Sequence, residues 1–172
     1  MKKTATVYWL LPARPERELF CNIIRILRKE FRAPNFEPHL TLFHTRRNAI
    51  SPEKVLRQIR LRPIRLRTRG VRFSQKFTKT LFVRFSSEPA LRKLLARVAR
   101  VAKSRAKAPK DPHVSLLYKK MPRAAKKEMA SVLRLPFRQV VFDSVAAVRL
   151  TLPVRTGADV GKWKIVARKS LR

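Results

Sequence analysis

Apolar residues recur along this chain in two periods, and the switches between them mark out its elements. Thr4–Leu11 is β-branched and aromatic, which predicts a strand ended by Pro12. Leu19, Phe20, Ile23, Ile24, Leu27 and Phe31 then recur at helical spacing and leave Arg25, Arg28 and Lys29 for solvent. Pro15 suits the start of that helix, and Glu16 and Glu18 in its first turn complement the helix dipole. A turn over Ala33–Pro38 leads into a strand, His39–Thr45, and Ser51, Pro52 and Glu53 predict a capped helix running to about Arg60. Ile64, Leu66 and Thr68 alternate with Arg65, Arg67 and Arg69, the pattern of a strand with one buried face and one comb of arginines. Gly70 breaks the phase before Val71 and Phe73 resume it, which predicts a bulge.

A partner strand follows at Leu81–Phe85, then a second amphipathic helix marked by Leu91, Leu94, Leu95, Val98 and Val101. The other face of that helix carries Arg92, Lys93, Arg97, Arg100 and Lys103, and basic residues continue to Lys110. A strand at His113–Tyr118, a helix over Pro122–Leu133, and strands near Phe137–Leu152 and Trp163–Arg168 complete the chain. Several strands follow one another with no room for a crossover helix. The expected fold is therefore α+β with antiparallel sheet.

Composition bounds this picture. A chain of 172 residues, 45% hydrophobic with only three glycines, fits one domain over 1–172 with its own apolar core. Lys and Arg number 43 against 10 acids, a net charge of +33, which attracts polyanions and nucleic acid above all. The charge is no tail: residues 1–86 hold 21 of the cations and 87–172 hold 22. Cys21 stands alone in an apolar run, so neither an intrachain disulfide nor a cysteine metal cluster can form, and a small buried hydrophobe is its expected role. The longest apolar run, Val7–Ala13, contains Pro12 and is far too short to cross a membrane. Lys2 and Lys3 precede it as in a signal peptide, but Arg14 ends it without a cleavage site. A cytoplasmic monomer with no membrane partner is expected.

The chemistry lies in a doubled frame. Glu37-Pro38-His39-Leu40-Thr41-Leu42 and, 74 residues later, Asp111-Pro112-His113-Val114-Ser115-Leu116 both read acid, Pro, His, aliphatic, hydroxyl, Leu. Residues i and i+2 of a strand share a side, so each copy presents an imidazole beside a hydroxyl. Two such strands brought together suit phosphodiester cleavage without a metal. One histidine takes the proton of the nucleophile and the other protonates the leaving oxygen, since imidazole titrates near neutrality. Thr41 and Ser115 can donate to nonbridging oxygens as charge builds there. The third histidine, His44, has Arg46 two positions on and opposite strand parity to His39, so it is expected to point away as a structural residue.

The doubled motif resembles the two-histidine (2H) phosphoesterase superfamily. Tyr8-Trp9-Leu10-Leu11-Pro12 looks like the opening strand of its cyclic phosphodiesterase branch, and Trp163 falls where the closing strand of that branch carries a tryptophan. The resemblance covers essentially the whole chain. It implies two pseudo-symmetric lobes, antiparallel sheets lining a central cleft with helices outside, and hydrolysis of cyclic phosphates to monoesters with no cofactor and no metal. It implies His39 and His113 as the acid–base pair, Thr41 and Ser115 as phosphate donors, and Trp9 and Tyr118 as rings that stack on a base or close over the phosphate. The related 2′-5′ RNA ligase family usually carries an arginine five residues after the second histidine. Tyr118 stands there.

Three functions remain open at this point. A 2′,3′-cyclic nucleotide or ADP-ribose cyclic phosphate hydrolase is favoured by Tyr118. An RNA 2′,3′-cyclic phosphodiesterase or 2′-5′ RNA ligase would hold RNA ends through the arginine comb and the 92–110 stretch. A non-enzymatic RNA-binding protein would explain the charge but not the twin motifs.

Overall fold

The computed structural model describes residues 3–45, 50–106 and 109–172. Among them are seven strands: β1 (Lys3–Pro12), β2 (Leu40–Thr45), β3 (Ile64–Phe73), β4 (Leu81–Phe85), β5 (His113–Leu117), β6 (Gln139–Leu152) and β7 (Lys164–Ser170). Helices α1 (Glu16–Phe31), α2 (Pro52–Gln58), α3 (Pro89–Val101), α4 (Arg123–Val132) and α5 (Gly157–Val160) lie in the connections, with a 3₁₀ turn at Phe77–Lys79. The strands join one antiparallel sheet in the order β1-β2-β5-β4-β3-β6-β7, and a β1–β6 pairing closes the first six into a ring. This is the α+β architecture the pattern predicts. Within that single sheet the two motif strands meet where Leu40 of β2 pairs with Val114 of β5, and the start of β6 pairs with β3.

Local chemistry explains most boundaries. The Ser51 hydroxyl accepts from the Lys54 N–H at 3.4 Å and Pro52 opens α2, as expected of a capped start. Arg69 and Gly70 together oppose Arg84, with Gly70 at φ +79°, so the predicted bulge is present and glycine supplies its left-handed residue. The short α5 has a capping box between Thr156 and Asp159 that the hydrophobic pattern gives no sign of. Cys21, expected to be buried, is only half-buried on α1. No helix among the described residues is long and apolar enough to cross a membrane.

Antiparallel partners project to the same side of a sheet, so the register sorts the side chains into two faces. Tyr8, Leu40, Phe43, Leu66, Val83 and Val114 face the main core, where Phe20 of α1, Leu56 of α2 and Leu91, Leu94 and Val98 of α3 cover them. The opposite face of β1 and β6 carries Val7, Trp9, Ala146 and Val148, a second apolar cluster against which Trp163 packs. On β2 and β5 that same opposite face carries the residues of the twin motif.

Candidate functional site

His113 opens β5, pairs with Arg84 of β4, and meets the Phe82 ring edge-on at 5.2 Å. The first half carries an irregularity. Tyr8 pairs with Phe43 and Trp9 with Thr41, so Leu42 is an extra residue in β2. Thr41 stays on the face of Trp9, and beyond the bulge His44, opposite Val7, returns to that same face. Strict alternation puts His44 on the far side; the bulge overturns that expectation. Arg46, its neighbour in that reading, lies outside the described residues.

His39 stands one residue before β2 and is buried. Its ring stacks on Trp9 at 3.7 Å between centroids and 11° between planes, with Trp163 edge-on at 5.9 Å. The two imidazoles share one backbone device. Nδ1 of His39 lies 2.6 Å from the Glu37 carbonyl oxygen, and Nδ1 of His113 lies 2.8 Å from that of Asp111. A carbonyl can only accept, so each Nδ1 carries the proton and donates it. Nε2 is left on both rings as the nitrogen available to a substrate.

Burial pushes the His39 imidazole down to about 4; the bond to Glu37 opposes this and the charge of nearby His113 adds to it. His113 is also lowered, chiefly by burial, with Lys79 and Lys76 pushing down against the Asp111 carbonyl and carboxylate. In the free protein at about pH 7 both rings are therefore neutral. Below about pH 6.5 an unfolded histidine binds a proton that folded His39 refuses, so its contribution to stability declines as pH falls and is gone below about 4. The loss attributable to His39 is roughly 3 kcal/mol at most. Chemical denaturation of the wild type should weaken over that window, and His39→Ala should flatten the decline. An unchanged pH slope in the variant would contradict the buried neutral ring.

The two motif hydroxyls differ. Thr41 is exposed to the cleft, whereas Ser115 is buried and donates to the Thr78 carbonyl at 2.9 Å. Two cavities flank Thr41 and His44. One, of about 310 Å³, is lined by His39, Trp9, Tyr118 and Trp163 with an apolar wall from Leu150 to Val154. The other, of about 440 Å³, is lined by His113, Asp111, Ser104 and Arg105. Each cavity thus has one histidine of the pair, with Thr41 and His44 as their common wall.

Trp9 and Tyr118 line the first cavity, but each is almost fully buried and has one face taken, Trp9 by His39 and Tyr118 by Phe36 at 3.9 Å. The indole N–H of Trp163 is buried there without a partner. The sequence singles out Trp163 only by its place in the closing strand. No group of three or more His, Cys, Asp or Glu is placed to hold a metal ion among the described residues.

Two imidazoles held through Nδ1, with Thr41 lining the cavity beside each, are the arrangement expected of a two-histidine phosphoesterase. The family model described as the 2′-5′ RNA ligase superfamily matches residues 16–152, and the chain belongs to that superfamily. It is an enzyme of the cyclic phosphodiesterase type. The fold is similar to that of E. coli LigT complexed with 3′-AMP, at 16% identity and a TM-score of 0.57 over 98% of each chain. It is likewise similar to TT0787 of Thermus thermophilus, at 22% identity and a TM-score of 0.56 over 98% of each chain. No curated protein sequence matches the chain.

Proposed function

We propose that this protein is an RNA 2′,3′-cyclic phosphodiesterase that opens the terminal cyclic phosphate of an RNA strand to a monoester. One histidine Nε2 takes a proton from water as the water oxygen bonds to phosphorus. The other, protonated in the substrate complex, gives its proton to the ribose oxygen as the P–O bond breaks. The Thr41 hydroxyl donates to a nonbridging oxygen. The superfamily match supports the RNA reading over cyclic mononucleotide or ADP-ribose cyclic phosphate, and a LigT of similar fold holds a nucleoside monophosphate, 3′-AMP. Tyr118, which in the sequence points to small nucleotides, is buried with one ring face taken by Phe36.

The observation that carries the reading is the placement of the arginine comb. Arg65, Arg67 and Arg69 are exposed on β3, and Arg72 with them, on the same sheet face as Arg84 and His113. At about 4.8 Å per strand, β3 lies roughly 10 Å from β5. The register sets Arg69 beside Arg84, the partner of His113, with Arg67 and Arg65 successively farther along β3, a line that the next phosphates of a strand ending at the histidines can follow. The basic face of α3 is different. Its apolar side covers the main core on the other face of the sheet, so Arg92, Lys93, Arg97 and Arg100 point away from the cleft. Lys107, within the 92–110 stretch, lies outside the described residues.

The test compares kcat/KM on RNA ending in a 2′,3′-cyclic phosphate with that on a cyclic mononucleotide, at about 150 mM salt. The ratio should stand well above one. Joint replacement of Arg65, Arg67 and Arg69 by serine should lower turnover of RNA and leave the mononucleotide unaffected. RNA affinity should also fall with salt at a slope near −0.7 per phosphate contacted. A ratio at or below one, with the arginines silent, would return the substrate to the small-nucleotide class.

A further inference from the structure

The acid two residues before each histidine has so far lent only its carbonyl. The chain has ten acids against 43 Lys and Arg, so two acids at matching positions in the site stand out. The Glu37 carboxylate is held by Arg17 of α1 and by Arg168 of β7 at 3.4 Å. The Asp111 carboxylate is held by Lys79 of the 3₁₀ turn and by Arg84 of β4, the latter at 2.8 Å. In both copies, cations from two separate elements grip the side chain while the main-chain oxygen of the same residue accepts from the histidine Nδ1.

The residue between is proline each time. Pro38 and Pro112 fix their own φ and confine the preceding acid to extended backbone, so little slack lies between the gripped carboxylate and the aimed carbonyl. Lys79 adds a strut on the second side. Its ammonium sits 4.3 Å from the centre of the Phe82 ring, which in turn meets His113. Burial pushes the Asp111 carboxyl up, but Lys79, Arg84 and His113 outweigh it and hold the group below the usual carboxylate range, so the anchor stays charged at neutral pH.

We infer that Glu37 and Asp111 are positioning residues, whose clamped carboxylates hold the carbonyls that keep His39 and His113 as Nδ1–H tautomers with Nε2 open to the substrate. The inference rests on reading the two histidines as the acid–base pair. Partly exposed ion pairs contribute about 0–1 kcal/mol to stability. The clamps therefore matter for orientation far more than for holding the fold. A neutral imidazole freed from its carbonyl divides between tautomers, and the Nε2–H form has no lone pair at Nε2 with which to take a proton from water.

Glu37→Gln and Asp111→Asn keep size and remove the charge. Each should lower kcat roughly ten- to hundredfold, the range lost when a partner that orients a histidine is removed, with KM and the melting temperature little changed. ¹⁵N NMR of the imidazoles should show both rings of the wild type as Nδ1–H. The affected ring should become a mixture in each variant, and Glu37→Asp or Asp111→Glu should restore part of the effect. An unchanged tautomer pattern in Glu37→Gln and Asp111→Asn would overturn the inference, whatever happened to turnover. The spectrum needs no substrate. Failure of the catalytic reading would appear instead as full turnover by His39→Ala with the tautomers still governed by the acids.

Discussion

Replacement of either His39 or His113 by alanine is expected to lower kcat/KM on a cyclic phosphate by roughly 10²–10⁴, the range of one general acid or base. Both rings are held alike through Nδ1, one in each cavity beside Thr41, so neither can cover for the other. The double variant should lose far less than the product of the single losses, because base and acid act in one step. His44→Ala is the contrast. His44 lies on the cleft face without a motif hydroxyl of its own, so its loss should raise KM and leave kcat close to wild type. Steady-state kinetics on a cyclic mononucleotide measures all four proteins. Equal damage from His44→Ala and the other two would mean that the acid–base pair has been misassigned.

The next largest effect concerns the hydroxyls. Thr41 is open to both cavities and can meet a nonbridging oxygen as it stands, so Thr41→Val should cost roughly 10²–10³ in kcat, as for one donor to a developing oxyanion. The Ser115 hydroxyl is committed to the Thr78 carbonyl and must leave that bond to reach a phosphate. Ser115→Ala should therefore cost less in kcat and more in stability, about 0.5–1.5 kcal/mol for one hydrogen bond lost to a half-buried carbonyl. Rate constants and denaturation midpoints for both variants check this. Equal kinetic losses would mean that Ser115 swings into the cleft when substrate binds.

Much of this site was legible because its information is local. The acid-Pro-His-x-hydroxyl frame occurs twice in few residues, and the alternation of Ile64, Leu66 and Thr68 with arginines fixes which face of β3 meets water. The Gly70 bulge could be foreseen because a glycine marks it. The bulge at Leu42 could not. Leu42 is an ordinary strand residue, and only its pairing against Tyr8 and Trp9 reveals the extra position that turns His44 into the cleft. Nor could the sequence assign partners to charges. Arg17 and Arg168 reach Glu37, and Lys79 and Arg84 reach Asp111, across long stretches of chain, and nothing local distinguishes these four from the other cations. The burial of Ser115 against Thr78, and of Tyr118 against Phe36, likewise follows from which elements close over β5 rather than from the motif.

Two-histidine opening of a cyclic phosphate at an RNA end is tested most directly by incubating the purified protein, dialysed against EDTA, with a short RNA ending in a 2′,3′-cyclic phosphate and following the terminal phosphorus by ³¹P NMR. The cyclic signal should give way to a monoester while the strand stays intact, and His39→Ala and His113→Ala should leave it in place. Persistence of the cyclic signal with wild-type protein, or its loss only after a divalent ion is added back, would contradict the account.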